Sequence, residues 1–376
     1  MSAEPTVVAF PIAESPSSEG GSQPEDASLV KLFDDLYEFT SRYVGWTDEF
    51  RVGAVAWNIG THVYEQFQSF PYLQMNGPKG HGKTVGEKVL AATAHNPFEY
   101  AGATPAVLFR LAHKGVTMFL DELDGVFDPL ALLVLRHGFT RGGRIPRCQT
   151  VTKNTDDGSE SDFRVQWFNC YGPKCLAGQH PLNDSALQTR VISENMARVP
   201  MRDTPWPAYI PASMYEDAKP LRQRLHEWAK AVKLTDADFE AAVAAMPDGM
   251  DSRTQQTFLP LYVICPARYR PDLDRLVKRH MDYVTREVSD SPDVLVVRAL
   301  IEMGKPDEFL PGDVADKVNE MMAVGPKDKD AMSARGAAVS LSRMGFEKHG
   351  HGRRGNPYRA DDGQIDALAL DMGVNV

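Results

Sequence analysis

An α/β fold built on a parallel sheet is predicted by three features of the sequence. The first is a short apolar run with Tyr72, Leu73 and Met75 that leads into Gly77-x-x-x-x-Gly82-Lys83-Thr84. A segment follows in which Val85, Val89 and Ala92 share one helical face. The second is Val116-Thr117-Met118-Phe119-Leu120, which reads as a strand buried on both faces and ends on Asp121 and Glu122. The third is alternation. A short strand at Phe98-Glu99-Tyr100 precedes a helix opened by Thr104-Pro105 and closed by Gly115, and a further helix runs from Asp128-Pro129 to Gly138. Strand–helix repetition of this kind builds a parallel sheet.

The glycine-rich stretch carries chemistry because of where it sits. Between a strand and a helix, glycines let consecutive backbone N–H groups turn inward, and the helix N-terminus adds partial positive charge. Gly77, Pro78, Lys79, Gly80, His81, Gly82, Lys83, Thr84 and Val85 would wrap the phosphates of a nucleoside triphosphate. Lys83 would reach the β- and γ-phosphates and the Thr84 hydroxyl would ligate Mg²⁺. At the end of the second strand, Asp121 would hold Mg²⁺ and Glu122 would act as general base on the attacking water. ATP and Mg²⁺ are therefore the expected cofactors.

Composition narrows the remainder. With 376 residues, 43% hydrophobic and 24% charged, the chain is long enough for two or three domains. No run approaches a membrane span, and the acidic, Pro- and Ser-rich start is unlike a signal peptide. Cys148, Cys170, Cys175 and Cys265 form no metal-ligand pattern and read as reduced thiols, so a cytoplasmic protein is expected. The net charge of −10 argues against nonspecific coating of nucleic acid by the whole surface, but it leaves room for a local basic channel.

Along the chain, residues 1–27 read as a disordered tail and 28–68 as a helical segment. In that segment Leu29, Leu32 and Leu36 mark one helix, and Val52, Val55, Ile59, Val63 and Phe67 form a stripe on a second. Residues 69–212 hold the nucleotide core. Within it, 144–169 read as a β-hairpin whose base is basic (Arg141, Arg144, Arg147), with Lys153 near the tip. The tip itself, Asn154 to Glu160, is acidic. Residues 213–290 read as a helical lid, beginning with the stripe Met214, Ala218, Leu221, Leu225, Trp228 and Val232. Residues 291–376 read as three helices and a two-stranded wing. Between 335 and 359 six Lys/Arg stand against the one acid Glu347, the local basic footprint of a nucleic-acid contact. Arg335, Arg343, Arg353 and Arg354 are the candidates there.

Several motifs carry a family resemblance. They are Ala56-Trp57 with Thr61-His62, Gly77–Thr84, Asp121-Glu122-Leu123-Asp124 and Gly138-Phe139-Thr140-Arg141-Gly142-Gly143 with Arg147-Cys148. Gly172-Pro173-Lys174-Cys175-Leu176-Ala177-Gly178, Thr189-Arg190, and Arg253 ahead of Leu259-Pro260-Leu261 complete the set. Together they resemble a P-loop family of phage, prophage and staphylococcal-cassette replication proteins catalogued as a domain of unknown function. That family is similar to AAA+ ATPases of the MCM-like and superfamily III helicase branch, which form hexameric rings on DNA.

The resemblance implies an AAA+ P-loop core with N-terminal helices, a helical lid and a C-terminal winged-helix domain. It implies Arg190 as an arginine finger acting on the neighbouring subunit's ATP, and Arg253 as a second sensor reaching the γ-phosphate from the lid. Asn169, with Lys174 as rival, would be the first sensor. The 144–169 hairpin would face DNA in the pore, although its acidic tip departs from a phosphate grip. The expected function is an ATP-dependent DNA helicase or translocase of a phage or mobile-element replication system, in the host cytoplasm and among other replication proteins. A helicase loader or initiator is the alternative, and a DNA-binding regulator whose ATP site controls assembly is a third.

Overall fold

The computed structural model of the chain describes residues 27–101, 105–121, 129–155, 158–182, 184–197, 206–207, 209–289, 291–325, 328, 331–350, 356–361, 363–372 and 374. Glu122, Arg353, Arg354 and the 1–26 part of the expected tail lie outside these residues, as does the side chain of Lys153.

Two helices precede the sheet, α1 (Ala27–Ser41) and α2 (Asp48–Gly60). Helix α2 starts where Thr47 accepts from the Phe50 N–H, with Asp48 and Glu49 in the positive first turn. The apolar stripe predicts continuation to Phe67, yet the helix stops at Gly60. There the Thr61 hydroxyl donates back to Asn58 O, and Val63 and Phe67 enter the core from a 3₁₀ turn instead. The resembling motif residues here do structural work. Trp57 is fully buried and its Nε1 donates to Pro71 O at 2.8 Å, while His62 Nε2 donates to Thr93 O at 2.9 Å.

The core elements follow as β1 (Tyr72–Asn76), α3 (Lys83–Thr93), β2 (Pro97–Ala101), α4 (Pro105–His113), β3 (Thr117–Asp121) and α5 (Pro129–His137). After them come the hairpin strands β4 (Arg144–Thr155) and β5 (Gly158–Asn169), then β6 (Lys174–Gly178), α6 (Ser185–Gln188) and β7 (Val191–Asn195). The sheet order is β2-β3-β6-β1-β7, with every neighbour parallel. Strand β6 is thus inserted between the phosphate-loop strand and the acidic strand. The β4–β5 pair is a separate antiparallel ribbon.

Side chains alternate across the sheet and divide two cores. Leu73, Met75, Phe119, Cys175 and Ile192 face α1, α2 and α3. Tyr72, Met118, Leu120, Leu176 and Val191 face α4, α5 and the hairpin base. Helices α7 (Ala212–Ala231), α8 (Asp236–Ala244), α9 (Ser252–Ile264) and α10 (Arg270–Ser289) join the first of these cores. They pack as one bundle with α1 and α2. A Cβ on Gly53 would stand 2.4 Å from Leu276, so glycine is what lets α10 close on α2. Arg279 then ties α10 to β7 through the buried Glu194 at 2.7 Å.

The remaining elements are α11 (Pro292–Glu302), β8 (Glu308–Phe309), α12 (Pro311–Met321), α13 (Ala334–Arg343), β9 (Glu347–Lys348), β10 (Tyr358–Arg359) and α14 (Gln364–Asp371). They have their own core around Val296, Leu300, Val314, Leu341 and Tyr358. The three short strands pair antiparallel in the order β8-β10-β9. Strand β8 and helix α14 are elements that the sequence reading does not contain.

Candidate functional site

The loop from Gly77 to Gly82 leaves the C-terminal end of β1, where the sequence places it. Gly80 and Gly82 have φ of +82° and +85°, values that a side chain would strain, and Gly82 stands immediately before α3. Lys83 Nζ donates to Gly77 O at 2.5 Å and to Pro78 O at 3.0 Å, so the ammonium is held over the loop. His81 Nδ1 donates to Met196 O at 2.8 Å and fastens the loop to the chain leaving β7. Thr84 Oγ1 donates to Asp121 Oδ2 at 2.7 Å, which brings the two predicted Mg²⁺ ligands together across α3 and β3. A hydroxyl and a carboxylate meeting beside the loop fit a hard cation that takes oxygen ligands.

Two features of this end of the sheet escape sequence reasoning. One is a cavity of about 340 Å³ beside the loop, walled by Tyr43, Val44, Met196 and Trp206. A Cβ on Gly45 would stand 2.5 Å from the Trp206 ring, so the glycine makes room for the indole. Tyr43 and Gly45 lie between helices and Trp206 lies far along the chain, which leaves no periodic signal. The other is Glu87 on α3, 3% exposed, with Oε1 lacking a hydrogen-bond partner among the described residues. Burial, and then the nearby charges of Asp121 and Glu99, push its carboxyl up to about 9, against the opposing pull of Lys83. Burial thus disfavours a second negative charge behind Asp121.

The opposite end of the sheet holds a cationic corner. Arg190 O accepts from Tyr72 N at the N-terminal end of β1, roughly 13 Å of strand away from the phosphate loop. Arg190 and Arg253 each place the guanidinium carbon 5.6 Å from the centre of the Phe139 ring. Arg190 Nη1 donates to Arg136 O at 2.5 Å, while Arg190 Nε is buried without a partner among the described residues. Burial and then repulsion from Arg253 lower the Arg190 pKa. Helix α9 is latched here because Thr257 Oγ1 donates to Thr189 O at 2.9 Å. Arg253 therefore stands beside Arg190, at the end of the sheet away from its own phosphate loop.

The first-sensor expectation also changes. Asn169 ends the hairpin strand β5, and its Oδ1 accepts from Tyr171 N. Lys174 starts β6 opposite Tyr72 and Met118, again at the far end of the sheet. Neither is brought to the phosphate loop. The strand end that does meet the loop is that of β6, where Gly77 N donates to Gly178 O at 3.2 Å, so the next residue, Gln179, stands beside the site.

Lys174 is fully buried, donating to Cys170 O and Gly172 O at 2.9 Å each, with its ammonium 4.9 Å from the Tyr72 ring. It fastens the turn that precedes β6. Burial lowers its pKa from 10.5 to about 7. Between those two values the unfolded chain holds a proton that the folded chain has shed, so stability rises with pH through that window. Urea unfolding from pH 7 to 10 should show the wild type gaining stability relative to Lys174→Met as pH rises, since the buried thiols and phenols titrate alike in both. Equal slopes would refute the burial account.

The predicted nucleic-acid residues are dispersed. Arg141 and Arg144 are exposed at the hairpin base, and Arg147 lies 4.9 Å over the Phe109 ring. Arg335 is exposed on α13, while Arg343 pairs with Asp293 of α11 at 2.5 Å.

No protein-family model matches the chain, and no curated protein does. Among solved structures the chain is similar to the apo A form of the NrS-1 C-terminal region. The identity is 9% and the TM-score 0.36, over 89% of this chain and 75% of that one. It is also similar to Drosophila ORC bound to DNA, at 10% identity and a TM-score of 0.22, over 96% of each chain. Cdc6p from Pyrobaculum aerophilum is a third, at 14% identity and a TM-score of 0.19, again over 96% of each chain. Likeness at this level leaves function to the residues. The strand order and the loop define an α/β fold of the P-loop NTPase kind.

Proposed function

We propose that the protein is an ATPase of DNA replication that works as a ring of like subunits, each completing its neighbour's nucleotide site, and that it moves on DNA as a helicase. One observation carries the reading: Arg190 and Arg253 converge at the end of the sheet opposite their own phosphate loop. Two half-buried guanidinium groups facing one ring call for an anion, and the γ-phosphate of an adjacent subunit supplies one when copies stack head to tail. Lys83 and the loop amides would bind the triphosphate. Thr84 and Asp121 would hold Mg²⁺, which when bound polarises the phosphoryl oxygens. Glu122 would activate water. Gln179, next to the Gly178 carbonyl that the loop's Gly77 meets, would sense the γ-phosphate in place of Asn169 and Lys174. The helices and wing of 291–376 would form a winged helix that meets duplex through Arg335, Arg343, Arg353 and Arg354.

A second reading, an initiator or loader that switches without translocating, is favoured by the hairpin's distal half. There Lys153 stands against Asp156, Asp157, Glu160 and Asp162. Strand displacement on forked DNA with ATP and Mg²⁺ separates the two. The helicase reading predicts displacement that stops when ATP is replaced by a nonhydrolysable analogue. Hydrolysis without displacement would select the switch.

A further inference from the structure

We propose that the outer face of the β4–β5 ribbon, near its base, is a stacking platform for the bases of single-stranded DNA, with Trp167 at its centre and Arg144 beside it for the backbone phosphate. This names the contact for the DNA reading above and rests on it.

The ribbon has two unlike faces. On the inner one, Ile145 and Phe168 are buried, Phe168 meets the Phe109 ring of α4 at 4.8 Å, and Arg147 lies over the same Phe109. On the outer one, Pro146 pairs with Trp167 and Cys148 with Val165. All four are exposed, Val165 to 59% and Trp167 to 56%. An indole and a branched aliphatic laid open side by side on a rigid strand form a surface made for contact.

Charge selects the occupant. The basal half of the ribbon and its approach, residues 141–148 and 163–169, carry Arg141, Arg144, Arg147 and Arg164 and no acid, in a chain of net charge −10. The acids of the ribbon all lie in its distal half. Arg144 pairs with Asn169, which makes it the diagonal neighbour of Trp167 on the same face, at roughly 7–8 Å. An aromatic plate next to a cation suits a base and its own phosphate, and stacking accepts any base because each presents a π-face. In a duplex those faces are covered, so the ligand is a single strand. The acidic tip, a departure for a phosphate grip, does not disturb this site because the platform sits at the other end of the ribbon.

The protein supplies its own reporters. Of its five tryptophans Trp46, Trp57 and Trp228 are buried and Trp206 is half-buried, so Trp167 is the one in water. Of its four cysteines Cys148 alone is exposed. The test titrates the full chain with a fluorescently end-labelled oligothymidylate, following anisotropy for binding, tryptophan emission for contact at Trp167, and the rate of Cys148 alkylation. The expected result is binding accompanied by quenching and by slowed alkylation. Trp167→Phe should abolish most of the quenching, and Trp167→Ala should weaken binding about tenfold. The alkylation arm uses the unaltered chain, so it stands even where a variant misfolds. Binding with unchanged alkylation and unchanged affinity of Trp167→Ala overturns the platform and leaves DNA binding in place elsewhere. No binding at all overturns both. Alkylation that slows with protein concentration alone would overturn it too, because the face would then be a contact between copies.

Discussion

Lys83→Ala lowers ATP affinity by about a hundredfold, the loss expected when a charged donor to phosphate oxygens is removed. Among the described residues the side chain bonds to two carbonyls of its own loop, so the ligand-free fold should lose little stability, within about 0.5 kcal/mol. The two effects separate in one experiment. At a hundred times its own Kd for ATP the wild type should be stabilised by about 2.7 kcal/mol, and the variant, half-saturated at the same concentration, by about 0.4 kcal/mol. A variant whose melting temperature rises with ATP as the wild type's does would remove the nucleotide from this loop.

The phosphate loop, the Asp121 strand and most helix limits were legible in the sequence because they are local. Glycine spacing, a proline at a helix start or a run of apolar residues can be read in a window of ten residues. Strand β6 was not legible. It follows a Gly-Pro turn and opens on a lysine, and the hairpin inserted before it takes up the place where the next core strand is expected. The end of the returning arm β5 reads as the end of a core strand, which is why the sequence points to Asn169, whereas the strand end beside the loop is that of β6. The meeting of Arg190 with Arg253 was illegible for a different reason. It depends on Phe139 lying between two segments that only the folded sheet and α9 bring together. The wall of Tyr43 and Trp206 beside the loop is likewise a product of packing. Trp167 belongs to an alternating strand in the sequence, but alternation alone does not tell which face α4 covers.

The second large effect belongs to the cationic corner. Arg190→Ala should leave ATP binding by its own subunit intact, because its guanidinium lies at the other end of the sheet. Hydrolysis by the assembled protein should fall by about a thousandfold, the order of magnitude of arginine stabilisation of a γ-phosphoryl transition state. Arg253→Ala should act in the same direction, since the two side chains share one ring and repel one another across it.

Both variants leave open whose nucleotide the arginines serve, and subunit mixing answers that. Lys83→Ala subunits carry an intact corner and a disabled loop, whereas Arg190→Ala subunits carry the reverse. Each is expected to be inactive alone. Mixed, they should regain part of the wild-type rate, because some interfaces then pair an intact loop with an intact corner, and recovery should peak at an intermediate ratio. An absence of recovery at every ratio, in mixtures where mixed oligomers are shown to form, would contradict a site shared between subunits.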